Sequence, residues 1–502
     1  TLRAAIQNAN LDSTKDTVKF AFSTLTTIKL KSYLPVLQNP VEIDGWTQSP
    51  GESRIPEPAV RVDGVGLPRL SCGPIQMGSN AVAHGRAFVV LGARSLIRGL
   101  NISGFPCDDI VVWNAPDTVI SANFIGTNPE GSKVDSFEVS DAKHGVYVHG
   151  SPRAVIGGEM SMDGNVVTTL KGGVAIFAVN GSNLVSIRNN KIGVSVNGDK
   201  VLGPTTDLRP ASGILLKGNV SGHTALMTSP VIADNHVVGM GAKEASAIEV
   251  GAGVQGARVE RNLVGTDGDG NQLVIDGILY REEKTDGIVV SAITSTEGVG
   301  ETLIKDNVVG AMRYGIMLRG SGVHDTRIEG NAIGVSKVRM GVVPNGVGVL
   351  VTEGATRTVI GYAKNSVPDP TCSPNLACNV IAHNQISGVA LATPDPVSQG
   401  RLNPALTPTT IRGNSIFRNV GAGIDRPGFG VTPNNVDPQD SDVDFPIGVS
   451  RSVKPETSTT VVSGFIQVPD VSTADLTIDV YRLDPGPDQS SGLFDHGVIR
   501  PG

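Results

Sequence analysis

Asp108 and Asp109 stand side by side, and paired carboxylates are what a glycosidase needs across a sugar linkage, about 5 to 10 Å apart. The blocks expected beside them, Asn-Thr-Asp, Gly-His-Gly and Arg-Ile-Lys, are missing, so a polar rung turn is the expected reading of the pair. Asp267 and Asp269 lie in the Gly-rich turn Asp267-Gly-Asp-Gly-Asn271, where they could ligate Ca²⁺ beside a Lys or Arg base for β-elimination. Sister turns carry Asn128-Pro129 or Val194-Ser195 instead, which favours a plain loop. Asp437, Asp440, Asp442 and Asp444 form the better Ca²⁺ candidate, a cluster at a domain junction that a hard cation would stiffen without catalysis, with a solvated acidic turn as the alternative. No other cofactor is expected.

The histidines are scattered: His84, His144, His149, His223, His236, His324, His383 and His496. His144 and His149 are five apart about one strand, a spacing that predicts opposite faces. No metal triad or Ser-His-Asp order is readable. Sugar binding without cleavage would use aromatic platforms, and only Trp46, Trp113 and a few Tyr offer themselves. Cys72, Cys107, Cys372 and Cys378 are an even set, and their spacing favours two bridges, Cys72–Cys107 across neighbouring rungs and Cys372–Cys378 in a small ring. Buried thiols or a zinc site are the alternatives, the latter lacking His at ligand spacing. Asn101, Asn180 and Asn219 open Asn-x-Ser sequons, which would carry glycans only if exposed in a eukaryotic secretory setting.

The elements that would position these groups are many short strands. Of 502 residues, 62 are Gly and 31 Pro, only 4% are aromatic, and Val, Ile, Asn and Thr dominate, which suits strands joined by tight turns. The formal charge of −7 is dispersed, with no basic stripe, so nucleic acid is not an expected partner. No apolar run reaches eighteen residues, so direct membrane insertion is not expected either.

One phrase repeats: Asn, two or three residues, then Gly, beginning at Asn101, Asn123, Asn190, Asn235, Asn262, Asn307, Asn331 and Asn384. Close copies are 22 to 27 residues apart, which suits a coil of three short strands. A second phrase, Gly before an apolar run, recurs at Gly145, Gly173, Gly213, Gly287, Gly315 and Gly388. Stacked rungs bury a continuous core that no single rung can bury alone. At about 4.8 Å per rung, roughly fifteen rungs would make a rod on the order of 70 Å. Stacked Asn side chains would form a hydrogen-bonded ladder, a structural role. A longer rhythm, at Ile125, Ile192, Val264 and Ile333, predicts hairpin-like insertions on one side at intervals of about three rungs.

The expected fold is therefore an all-β, right-handed parallel β-helix, or solenoid. Residues 1–25 read as a cap with an amphipathic helix bearing Leu2, Ala5, Ile6 and Ala9 on one face, and residues 26–432 as the helix. Residues 433–450 read as an acidic linker, and 451–502 as the incomplete start of an immunoglobulin-like β-sandwich.

The opening Thr1-Leu2-Arg3-Ala4-Ala5-Ile6-Gln7-Asn8-Ala9-Asn10, with Val41-Glu42-Ile43-Asp44-Gly45-Trp46-Thr47-Gln48 and the closing Gly423-Ile424-Asp425 to Pro446, resembles secreted β-helix repeat proteins of the Cys-Ser-Leu-Arg-Glu-Ala type. Two departures are the absent Cys before Thr1 and Ala4 in place of Glu. The resemblance implies a large protein of bacterial or algal surfaces and matrices, usually with no assigned activity.

The leading expectation is thus a non-catalytic extracellular structural or adhesive protein, a component of a surface, matrix, sheath or filament. Its partners would be itself, by lateral or end-to-end assembly, or surface glycans. The alternatives are a polysaccharide lyase or glycoside hydrolase and a receptor-binding protein of tailspike type. Carboxylates converging with a Lys or Arg in a flank groove would favour an enzyme; a flat or self-complementary flank would favour assembly.

Overall fold

The computed structural model describes residues 1–425 apart from 23–25, 49–56, 69–71, 73–81, 136–143, 170–171, 204–208, 219–224, 242–244, 295–297, 364–365, 369–371, 373–375 and 392–408, and beyond them only the backbone of 447–454, 459–465, 481–484 and 498–501. The chain is a right-handed parallel β-helix. Three long sheets run its length: a first of twelve strands, a second whose winding strands run from Thr26–Lys29 to Ser415–Phe417, and a third of eleven. A fourth sheet of four short strands widens the middle.

The core follows from register. In the first sheet Ile43, Ile97, Ile120, Ile156, Ile187 and Ile232 stack on one another rung after rung, each no more than 1% exposed. Val259 takes one turn, and Ile304, Ile328 and Ile360 continue the column. β-Branched side chains pack well on a pleated surface, and identical neighbours keep every layer the same thickness. In the third sheet the Gly of Asp286–Ser291 is a steric demand, since a Cβ on Gly287 would lie 2.3 Å from the Gly315 carbonyl oxygen and 2.8 Å from Val309, whereas Ala175 and Ala247 hold the same register position on other rungs.

At the corner between the first and second sheets, nine asparagines from Asn123 to Asn414 form an unbroken ladder, each backbone N–H donating to the side-chain oxygen of the next. Asn165, Asn379 and Asn414 belong to it although no Gly completes their phrase. Asn384 belongs instead to a second ladder with Asn345 and Asn419. Asn101 is in neither. It faces outward from the second sheet and donates to the carbonyls of Thr127 and Asn128.

The rod is shorter than the repeat spacing suggests. Leu96 and Val119, 23 residues apart, are one rung apart, but so are Thr358 and Thr409, separated by 51. Excursions consume the difference, and twelve strands span about 53 Å at the usual spacing. The insertions likewise recur every two rungs, not three, since Phe124, Val166 and Lys191 are successive partners.

The helix Leu2–Ala9 is capped by the Thr1 hydroxyl, 3.3 Å from the Ala4 N–H, and buries Leu2, Ile6 and Ala9 against the first rung. Cys72 is bonded to Cys107 and Cys372 to Cys378, with Cα atoms 5.5 and 5.2 Å apart. Toward the C-terminus the backbone pairs Ile447–Lys454 antiparallel with Thr459–Phe465, and Tyr481–Asp484 with Val498–Pro501. No helix among the described residues is long and apolar enough to cross a membrane.

Candidate functional site

The outward column of the second sheet runs Phe124, Val166, Lys191, His236, Leu263, Val308, Ala332. It would expose an apolar stripe if the insertions did not fold over it. Each insertion is a tight hairpin, closed by the bridges Thr127–Val134, Val194–Val201, Thr266–Gln272 and Val335–Val342. The first buries Gly131 against the Phe124 ring, and Val134, Val196 and Leu202 pack with Phe124 and Val166.

A hairpin is two strands wide, so it occupies two rungs of height. Copies two rungs apart therefore meet edge to edge. The Val196 N–H donates to the Gly131 carbonyl at 3.0 Å, and the Lys337 N–H to that of Gly270 at 2.9 Å. A Cβ on Gly198 would come within 3.5 Å of Gly268. The four hairpins form one ridge along the rod.

Between this ridge and an excursion at Met160–Asp163 lies a groove of about 830 Å³. Lys191 and His236 are on its floor, Asp199, Asp267 and Asp269 on the ridge side, Asp163 and Asp234 on the other, and Trp46 and Arg98 at one end. Trp46 packs over Gly99, where an added Cβ would sit 2.8 Å from the indole.

Most of these polar groups are already engaged. The Lys191 ammonium donates to the Val196 carbonyl, and the His236 Nε2–H to the Thr266 carbonyl at 2.8 Å. Arg261 grips Asp234 with two bonds of 2.8 Å, and Arg98 reaches Asp44 at 2.7 Å. Asp163 accepts from the Met160 N–H, Asp199 from the Ser195 hydroxyl, and Asp267 from the N–H groups of Asp269 and Asn271. Burial pushes the Lys191 pKa down. Burial also lowers that of His236, helped by the Lys191 charge and opposed by the Thr266 carbonyl and Asp267.

The residues singled out in the sequence fare differently. Asp108 is held by Arg86 at 3.3 Å and by the His144 N–H at 2.9 Å, and Asp109 is fully buried, so this pair is turn structure. Asp267 and Asp269 do line the groove. No group of three or more His, Cys, Asp or Glu among the described residues is placed to hold a metal. Asp437, Asp440, Asp442 and Asp444 lie outside the described residues, as does Asn219. Asn101 and Asn180 are buried, and in the folded chain neither amide is placed to carry a glycan. His144 and His149 lie on one face, not two: both rings neighbour Tyr147, at 5.6 and 6.3 Å. The backbone turns at Gly145, so strand alternation does not reach back to His144.

Lys191, His236 and Asp163 were not marked by motif. A signal existed: the residue after each ladder Asn is apolar in most copies, and Asn190-Lys191, Asn235-His236 and Asn414-Ser415 break that rule, the first two with basic side chains.

No family model and no curated protein matches the chain. Solved structures that share its winding include the Dettilon tailspike protein (14% identity, 97% of this chain and 82% of that one, TM-score 0.42), the periplasmic alginate epimerase AlgG (12%, 81% and 78%, 0.40) and the Streptococcus pneumoniae surface protein and adhesin PfbA (10%, 85% and 94%, 0.35). At such identities and scores the likeness carries no site or activity across to this chain.

Proposed function

We propose that the protein is an extracellular surface β-helix that holds a saccharide chain in the groove beside the hairpin ridge without cleaving it. The resemblance of its opening and repeats to surface β-helix proteins supports the location. The observation that carries the binding role is the groove itself, a trough lined by both polar and apolar side chains with an indole at its end. The groove does gather carboxylates around a lysine, the composition an enzyme would also need. Hydrogen bonding argues otherwise: Lys191 and His236, the bases on its floor, are bonded to hairpin carbonyls. Titrating neutral oligosaccharides while following Trp46 emission in a Trp113→Phe variant tests this reading. Saturable change that Asp163→Ala weakens supports it, and a flat response to a broad panel refutes it.

The carboxylates gathered about Lys191 in the groove favour a second reading, a polysaccharide lyase in which Lys191 leaves Val196 to act as base. Release of unsaturated oligouronides, with or without Ca²⁺, would establish that activity.

A further inference from the structure

We propose that Trp113, Tyr147 and Phe177 form a second saccharide surface, a stacking strip for a neutral, β-linked chain lying along the rod on the outer face of the third sheet. It is remote in register from the groove's floor, which belongs to the second sheet, and does not depend on the reading given to that groove.

The strands Ile110–Trp113, Val146–His149 and Val174–Val179 lie on successive rungs, with Tyr147 directly opposite Phe177 and His149 opposite Trp113. Ring centroids are 5.5 Å apart for Tyr147 and Phe177 and 6.3 Å for Trp113 and Tyr147. His149 stacks on the indole at 3.7 Å and 3°, and the Val36, Ala83, Val89 and Val111 cluster packs beside it, which together fix its plane while leaving it partly exposed. In a chain with 4% aromatic residues, three rings on three adjacent rungs are a concentration that the fold does not require. The outward column of Tyr147 and Phe177 is filled elsewhere by Val111, Leu215, Glu249, Val289, Met317 and Leu350.

Exposure marks the same place. Before the strip, Val89 and Val111 are covered by Val36 and Ala83; after it, Leu215 is 9% exposed and Val289 4%. Trp113, Tyr147 and Phe177 are each partly exposed. The apolar C–H face of an equatorially linked pyranose suits the negative face of an aromatic ring. Extended chains of such sugars repeat at a distance comparable to the rung spacing, so successive rungs can serve successive sugars. The nearby charges, Arg86 and Asp108, pair with each other at 3.3 Å, which leaves a neutral strip suited to an uncharged chain.

The chain's two tryptophans lie one in each site, so each can be read alone. In a Trp46→Phe variant, cellohexaose and chitohexaose are titrated against Trp113 emission, with oligogalacturonate as the charged control. A saturable response to a neutral chain is expected, and adding Tyr147→Leu, which keeps the column apolar but removes the ring, should weaken it about tenfold, the usual scale of one aromatic stack. Tyr147→Phe should retain it. Phe177→Leu repeats the test should Tyr147→Leu fail to fold. No response to either neutral chain, or one that Tyr147→Leu and Phe177→Leu leave unchanged, overturns the strip. A response of Trp46 in Trp113→Phe would still report on the groove separately.

Discussion

Lys191 pairs in register with His236 on the next rung, and each gives its hydrogen bond to the carbonyl of a hairpin, Lys191 to Val196 and His236 to Thr266. The two basic groups interrupt a column that is otherwise apolar from Phe124 to Ala332. Each ties a ridge hairpin to the sheet beneath it, so the groove's floor also positions its wall.

Replacing Lys191 by Met separates these roles. The lost bond to a charged donor is worth about 1.5–3 kcal/mol, but a buried ammonium no longer has to be desolvated. Global stability should move by no more than about 1 kcal/mol. Amide exchange across residues 195–200 should nonetheless accelerate, because that hairpin has lost its anchor. Unchanged exchange there would show that the Val196 contact positions nothing.

His236 should make the fold sensitive to acid. Burial and Lys191 hold its folded pKa below the unfolded value, with Asp267 and the Thr266 carbonyl opposing. The unfolded chain then binds the extra proton first, so stability contributed by neutral His236 is present above the unfolded pKa and lost as pH falls below it. Melting of the wild type and His236→Gln from pH 8 to 5 should diverge on the high side and converge on the low side. Parallel curves would remove His236 as a contributor.

Glu282 should act in the opposite direction. It is buried 3.6 Å from the Arg209 guanidinium, and among the described residues no well-formed hydrogen bond reaches either of its side-chain oxygens. Burial pushes its pKa up to about 7 against the pull of Arg209, Thr285 and the N–H groups at 239–240. The proton is thus held in the folded state, so its stabilising contribution is full below the unfolded pKa and lost as pH rises through about 7. Glu282→Gln should gain on the wild type between pH 5 and 8 by up to about 3 kcal/mol. A constant difference across that range would contradict a buried, titrating carboxyl.

Much of the architecture was legible in the sequence, for a physical reason: the ladder position takes Asn on rung after rung, the stacked column takes Ile with Val259 at one turn, and the close approach in the third sheet takes Gly or Ala. Rung count was not, because the periodic residues mark rungs while excursions of any length can separate them, as Thr358 and Thr409 show. The groove was harder still. Asp163, Asp234 and Asp267 lie on different rungs with no common phrase, and only the two-rung height of the hairpins sets the ridge against the excursion at Met160–Asp163. The aromatic strip depended on register, which places Tyr147 opposite Phe177 although they are 30 positions apart in sequence.

The Asn ladder should be the least tolerant polar feature. Asn235 donates to Asn262 and to the Ile187 carbonyl, and accepts from the backbone and side-chain N–H groups of Asn190, all at 2.9–3.0 Å. Alanine there leaves several buried partners unsatisfied, at about 1–3 kcal/mol each, so a loss of at least about 3 kcal/mol is expected. Asn101→Ala removes only bonds to hairpin carbonyls and should cost about 1–2 kcal/mol. Denaturant titration of both variants gives the comparison, and equal losses would contradict a special role for the ladder.

Charge should decide which saccharides the groove accepts. Asp163, Asp199, Asp234, Asp267 and Asp269 face it against Arg98 and Lys191, and Arg261 offsets Asp234 from outside the lining. The remaining excess is negative and partly enclosed, so a polyuronate would meet repulsion while a neutral or amino-sugar chain would not. Screening falls within about 10 Å at 0.1 M salt, so added salt should weaken binding of chitosan oligomers and leave neutral oligomers unaffected. Asp199→Asn with Asp269→Asn should narrow the gap between amino-sugar and neutral chains, because it removes charge while keeping the shape. If oligogalacturonate binds better than either at low salt, the field in the groove is not set by these aspartates, and a cation held among them would have to be sought by calorimetric titration with Ca²⁺.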